Sequence, residues 1–126
     1  LMTIEMSRKF NTPFEDNTIL KLTFEFSLKI IHLSEVLNSN HQYIISKQIL
    51  KSATSIGANS YEAQNAESDA DFIHKFKIAA KEADETHYWL LLCNHADNYP
   101  DTTNLLNELE IIKKVINRII STSKNK

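Results

Sequence analysis

The sequence predicts an all-α protein, an antiparallel up-and-down four-helix bundle, and three observations carry that prediction. Helix breakers are scarce, with one Gly and two Pro in 126 residues. Four segments repeat apolar residues at intervals of three and four, the period of a helix buried along one side. Short polar stretches join these segments, and short connections make successive helices antiparallel neighbours.

Composition bounds the rest. The length is that of one domain, large enough to bury a core, and 42% hydrophobic residues is ordinary for a globular chain. Sixteen acidic against 14 basic residues give a formal charge of −2, a balance that does not call for a polyanionic partner. A single cysteine, Cys93, excludes an intrachain disulfide and a thiolate metal cluster. A reducing, cytoplasmic setting is expected. No apolar run reaches the roughly 18 residues of a membrane span, and no secretory signal is expected at the N-terminus.

Residues 1–15 are expected to form a loose arm, 16–121 the bundle and 122–126 a frayed tail. Asp16 or Asn17 caps the first helix, which runs to about Leu37. Leu22, Phe26, Ile30, Leu33 and Leu37 form its stripe, widened by Phe24, Leu28 and Ile31. Phe24, Phe26 and Leu28 also alternate as a strand would, but the length of the periodic segment decides for helix. After the loop Asn38–Asn40 a second helix spans about 41–66. Its narrow face is Ile45, Ile49, Ala53, Ile56, Ser60 and Ala63, with Tyr43, Leu50, Gly57 and Tyr61 on the next row. Gly57 in mid-helix costs about 1 kcal/mol against Ala, a cost offset where a neighbouring helix must come close. The third helix covers about 68–95, opened by a capping box, Ser68 to Asp71, with Asp69 and Asp71 favouring the positive helix end. Asn98–Asp101 is the clearest loop. Asp101 or Thr102 caps a fourth helix, about 102–121, whose seam is Leu105, Leu109, Ile112, Ile116 and Ile119.

The third helix is apolar on two sides. Phe72, Phe76, Ala79, Ala80, Ala83, Leu90 and Leu91 are expected to face the core. A second row holds Asp71, Ile78, Glu82, Glu85, Trp89 and Leu92, where a solvated helix back would be polar throughout. A helix apolar on two sides touches two things, its own bundle and a second surface. An oligomer interface is therefore expected from Ile78, Glu82, Glu85, Trp89 and Leu92, with Gly57 and Tyr61 of the second helix.

No chemistry is expected, so catalytic, cofactor-binding and metal-binding residues are all read as none. A di-iron bundle needs Glu-x-x-His motifs, and the chain offers only Asp71-x-x-His74 and His32-x-x-Glu35. Glu82 and Glu85 are read as a polar subunit contact, partnered by Lys47, Lys51 or Lys75, in preference to an acid/base pair. His87 is expected to point into the core as a neutral, hydrogen-bonded histidine, and Cys93 to be a core thiol. No Ser-His-Asp order, phosphate loop or nucleophile elbow is present. Lys77 and Lys81, with His74, share one flank of the third helix, and Lys113, Lys114 and Arg118 crowd the fourth. These are solvated faces or candidate RNA contacts, with no aromatic interleaved to stack bases.

Two stretches resemble a known family. One is Lys47-Gln-Ile-Leu-Lys-Ser-Ala-Thr-Ser-Ile-Gly-Ala-Asn59 with Glu62-Ala63. The other is Ser68-Asp-Ala-Asp-Phe-Ile-His-Lys75 with Ile78-Ala79, Lys81-Glu-Ala-Asp-Glu-Thr86 and Tyr88-Trp-Leu-Leu-Leu92. Together they resemble the bacterial 23S rRNA intervening-sequence proteins over about residues 17–120. That resemblance implies an antiparallel four-helix bundle in a closed ring, a homopentamer by preference. It also implies a link to RNA through gene context, and it brings no catalytic residue. The expectation is a non-enzymatic, homo-oligomeric scaffold or interaction module with no membrane or small-molecule partner. An RNA-associated accessory protein making phosphate contacts is the alternative.

Overall fold

The computed structural model describes residues 13–125 as four helices, α1 (Thr18–Ser39), α2 (Tyr43–Ala63), α3 (Asp69–His95) and α4 (Thr103–Lys124). Among the described residues there is no strand. Each helix packs against its neighbours in the order α1–α2–α3–α4, α4 closes back on α1 more sparsely, and no pair meets across the diagonal. This is the up-and-down bundle the periodicity predicts.

The caps follow the local chemistry. Asn17 Oδ1 accepts the Leu20 amide at 3.2 Å, satisfying one orphan donor of α1. At α3, Ser68 Oγ accepts the Asp71 amide at 3.1 Å, and Asp71 Oδ2 reaches back to the Glu67 amide at 3.2 Å, one residue further out than the usual box. At α4, Thr102 is the cap residue but Asp101 does the capping, its Oδ1 accepting both the amide and the hydroxyl of Thr103.

Three of the four seams are pinned by buried hydroxyls. Ser34 and Ser46 share a 2.7 Å hydrogen bond between α1 and α2. Thr86 Oγ1 donates to Ser52 Oγ at 2.9 Å between α2 and α3. Thr102 Oγ1, ahead of α4, donates to the Leu90 carbonyl of α3 at 2.7 Å. The α1–α4 seam has instead the exposed ion pair Lys29–Glu108. A buried hydroxyl left unpaired costs about 1–3 kcal/mol, so these pairs fix helix register as well as adding stability.

Several elements differ from the sequence reading. The buried line of α3 is Phe76, Ala79, Ala83, Thr86, Leu90 and Cys93, an alternation of three and four. Phe72 and Ala80 are half-buried, and Leu91 is 37% exposed rather than core-facing. The line drifts round the helix, so it reaches Thr86 and Cys93 and leaves Leu91 on the α4 side. His87 is also not in the core. Its Nε2 lies 3.7 Å from Glu110 Oε1 on the α3–α4 surface. α2 ends at Ala63, and α4 continues to Lys124. Of the expected loose arm, residues 1–12 lie outside the described residues. Phe14 is no loose residue: it packs on the core and meets Phe24 and Tyr61 edge-on, with ring centroids at 5.5 and 5.8 Å.

Candidate functional site

The row singled out on α3 divides from the core line by helix geometry alone. At roughly 100° per residue, Ile78, Glu82, Glu85, Trp89 and Leu92 fall on the flank beside α2, and Lys77, Lys81 and Tyr88 fall on the outer face toward α4. The side is fixed by contacts: Asp84 and His87 meet α4 residues, whereas Thr86 and Glu82 are engaged with α2.

On the α2 flank, Ile78, Glu82 and Trp89 are half-buried, Glu85 is exposed and Leu92 is 39% exposed. Part of the Trp89 ring packs on the core of its own bundle. Its indole Nε1 donates to Glu85 Oε2 at 3.0 Å, one helical turn away. That bond satisfies the polar edge and leaves an apolar ring face at the surface. Partial burial, then the neighbouring Glu85 charge, push the Glu82 carboxyl above its ordinary value, and Lys51 of α2 opposes them. Of the partners expected for the two carboxylates, Lys51 acts on Glu82. Lys75 pairs with Glu62 at 3.4 Å. Ile44, 80% exposed near the start of α2, lies at the same end of the bundle as Leu92. Gln42 Nε2 bonds the Asn98 carbonyl there at 2.9 Å.

Gly57 and Tyr61 lie elsewhere. Gly57 faces α1, where an added Cβ would stand 3.3 Å from both Cβ and Oγ1 of Thr23. Its missing side chain serves close approach inside the chain. Tyr61 is 55% exposed beside Phe14 and Phe24, around a groove of about 310 Å³. The residues grouped from sequence therefore occupy two surfaces, five on α3 and two on the α1–α2 groove. A larger apolar groove of about 510 Å³, between Leu28, His32 and Val36 of α1 and Leu105 of α4, has no counterpart in the sequence reading.

On the outer face, Lys77, Lys81, Lys114 and Arg118 are exposed. Lys113 is engaged at 3.3 Å with Asp84 and at 3.8 Å with Glu110. Lys77 shares a shallow cavity of about 380 Å³ with His74 and Lys124. Tyr88, 57% exposed, shares this face and was missed as an aromatic among the cations. The signal was its spacing of seven from Lys81, two helical turns.

The remaining candidates do not converge. His32, Glu35 and His74 are exposed, and Asp71 is spent on its cap. Among the described residues no group of three or more His, Cys, Asp or Glu side chains is placed so that it could hold a metal ion. Cys93 is buried, which pushes its thiol up.

The fold and surfaces define a class of small all-α bundle in which the features that stand out are helix flanks. Within that class, the chain belongs to the 23S rRNA-intervening sequence protein family, whose sequence model matches residues 15–118. A solved relative is a protein of unknown function from the S23 ribosomal protein family of Bacteroides thetaiotaomicron VPI-5482. It is 40% identical with a TM-score of 0.77, and the match covers 81% of this chain and 97% of that one. Comparison with curated proteins gave no match. Family and relative agree with the resemblance read from the residues, and the relative's function is unknown.

Proposed function

We propose that this protein is a non-enzymatic interaction module of the cytoplasm that assembles with copies of itself, in a closed ring of five by preference. The α2-side flank of α3 is the contact. The observation that carries this reading is the state of Trp89: one side rests on its own core, its N–H is satisfied by Glu85, and its remaining surface adjoins Leu92, 39% exposed. Half-exposed aromatics of this kind act as anchors when a second surface removes them from water. Glu82 and Glu85 set register through polar partners such as Lys51. Among the described residues no helix is long and apolar enough to cross a membrane, so the surfaces are read as facing water or protein. The test is native mass by sedimentation at low micromolar concentration. A multiple of the 14.5 kDa chain is expected, and Trp89→Ala shifts it toward the monomer. A wild-type monomer overturns the reading.

A second reading, an RNA-associated accessory protein, is favoured by one observation. The cations Lys77, Lys81, Lys114 and Arg118 are exposed without an ion-pair partner among the described residues. The family description carries the same association with ribosomal RNA. Binding to structured RNA that weakens steeply as salt rises separates this reading from a pure scaffold.

A further inference from the structure

We propose that the outer face of α3 and α4 is a docking surface for a single nucleic-acid strand, with phosphates along its cations and a base stacked on Tyr88. This proposal rests on the RNA-associated reading and narrows it to one face and one kind of strand.

The charges of the bundle are sorted by position. Lys21, Lys29, Lys75 and Lys113 each stand within ion-pair distance of a carboxylate. Seven exposed cations have none among the described residues: Lys47 and Lys51 on α2, and a group of five, Lys77, Lys81, Lys114, Arg118 and Lys124. These five come from the outer sides of two adjacent antiparallel helices. Lys77 and Lys124 line the same cavity with His74, which ties the two rows together at one end. The carboxylates where α3 meets α4, Asp84 and Glu110, are both taken up by Lys113. Of the other carboxylates of α3, Asp69 and Asp71 sit in the first turn at the margin, Glu82 lies on the α2 flank, and Glu85, exposed one turn from Lys81, accepts the Trp89 indole N–H. A chain with a formal charge of −2 thus presents one cationic face. Such a face attracts a polyanion whatever the net charge.

Tyr88 selects the kind of polyanion. Its ring is 57% exposed and is held edge-on against Trp89 at a centroid distance of 5.4 Å, so it is a braced platform rather than a free side chain. On α3 it lies within about 60° of His74, Lys77 and Lys81. Lys77 and Lys81, and likewise Lys114 and Arg118, stand four residues apart, which spaces each pair by about 5–6 Å, suited to successive phosphates. A ring of that kind stacks an unpaired base, and a duplex keeps its bases stacked on one another and out of reach.

The experiment is a fluorescence-anisotropy titration of the full chain against a labelled RNA strand of about 20 nucleotides and its duplex, at about 50 and 200 mM salt. Five phosphate contacts at a slope near 0.7 each predict a loss of about 100-fold in single-strand affinity over that range. Replacing Lys77, Lys81 and Arg118 by Gln lowers the slope by about two, and Lys47→Gln with Lys51→Gln on α2 leaves it unchanged. Tyr88→Ala weakens the single strand by about tenfold and the duplex hardly at all, while Tyr88→Phe, which keeps the ring, binds as the natural chain does. A DNA strand of the same sequence tells phosphate and base-face recognition from use of the 2′-hydroxyl. Absence of binding at the lower salt overturns both the proposal and the RNA-associated reading. Equal binding of strand and duplex, untouched by Tyr88→Ala, overturns the strand preference alone. An equal loss in the α2 lysine variant overturns the placement on this face.

Discussion

The two flanks of α3 sit on one core line and are dressed in opposite ways. Toward α2 the helix shows Ile78, Trp89 and Leu92 among the carboxylates of Glu82 and Glu85. Outward, toward α4, it shows Lys77, Lys81 and Tyr88. On the first flank polar groups are already engaged within the chain, as in the Trp89–Glu85 bond, so what remains for a partner is apolar area. On the second the cations are unengaged, so what remains is charge. A near-neutral total charge conceals this, because the sorting is angular: residues one or two apart in sequence land on different sides. The buried alternation from Phe76 to Cys93 holds both flanks in place, and neither surface exists without it.

The largest effect is therefore expected where the flanks share support. Phe76 is fully buried, with its ring 5.0 Å from that of Phe72. Phe76→Ala removes a large side chain from a site walled by helices, at a cost of about 3–5 kcal/mol. Urea denaturation is expected to find the midpoint lowered accordingly, with assembly and polyanion binding lost together. Retention of either property in the unfolded variant would detach that flank from the fold.

The next effect asks whether Gly57 belongs with the assembly flank. Adding a methyl gains about 1 kcal/mol in helix propensity but meets Thr23 at 3.3 Å. Thr23 is β-branched, buried and fixed by a 2.8 Å bond to the Ile19 carbonyl, so it has no room to turn aside. Crowding of that kind costs about 1–3 kcal/mol, and Gly57→Ala is expected to lower stability by about 1 kcal/mol while native mass stays the same. A lowered mass with unchanged stability would return Gly57 to the subunit contact.

Most of the bundle was legible in the sequence because hydrophobic period and caps act locally. Asn17 and Ser68 cap as their side chains dictate, and Leu109, Ile112 and Ile116 form the buried seam of α4. The errors on α3 have one source. Its buried line includes Thr86 and Ala residues, so apolar character alone marks the line poorly, and Leu91 and His87 were set on the wrong side of it. The hydroxyl of buried Thr86 is met both by the Glu82 carbonyl one turn back in α3 and by Ser52 of α2, and the second contact is a tertiary fact that no spacing within α3 contains. Tyr88 was legible by spacing from Lys81 but not its exposure, which depends on how far α4 reaches across. The α1–α4 groove was not legible at all, since it reflects a sparse seam between the two ends of the bundle.

A smaller effect sharpens the contrast on the cationic side. Lys113 is within ion-pair distance of Asp84 and Glu110 at the surface, and such pairs contribute about 0–1 kcal/mol. Lys113→Ala is expected to leave the thermal midpoint nearly unchanged. It also leaves both carboxylates uncompensated beside Lys81 and Lys114, so RNA affinity at low salt should fall by roughly threefold. A large loss of stability with unchanged affinity would assign Lys113 to the fold and leave the face without its neutralising residue.

The smallest effect lies on the opposite flank. Burial, and then the Glu85 charge, hold the Glu82 carboxyl of the folded chain above its ordinary value of 4.5. A raised folded value means that the native state binds the proton more readily than the unfolded chain. The favourable contribution is therefore fully present below about 4.5 and is lost as pH rises through the folded value. Near neutrality Glu82 is an ionised carboxylate in a partly dry place beside a like charge. Glu82→Gln removes that charge and is expected to stabilise the chain at pH 7 by roughly half a kcal/mol or less, because water still screens the site. The gain should shrink as pH falls through that window, and denaturation of both proteins at several pH values measures it. In the assembled protein a polar partner answers the Glu82 charge, so the gain should be smaller at concentrations where the chain assembles than where it does not. A gain that is the same at all concentrations would leave this flank facing water, and the division of α3 into an assembling side and a charged side would lose its first half.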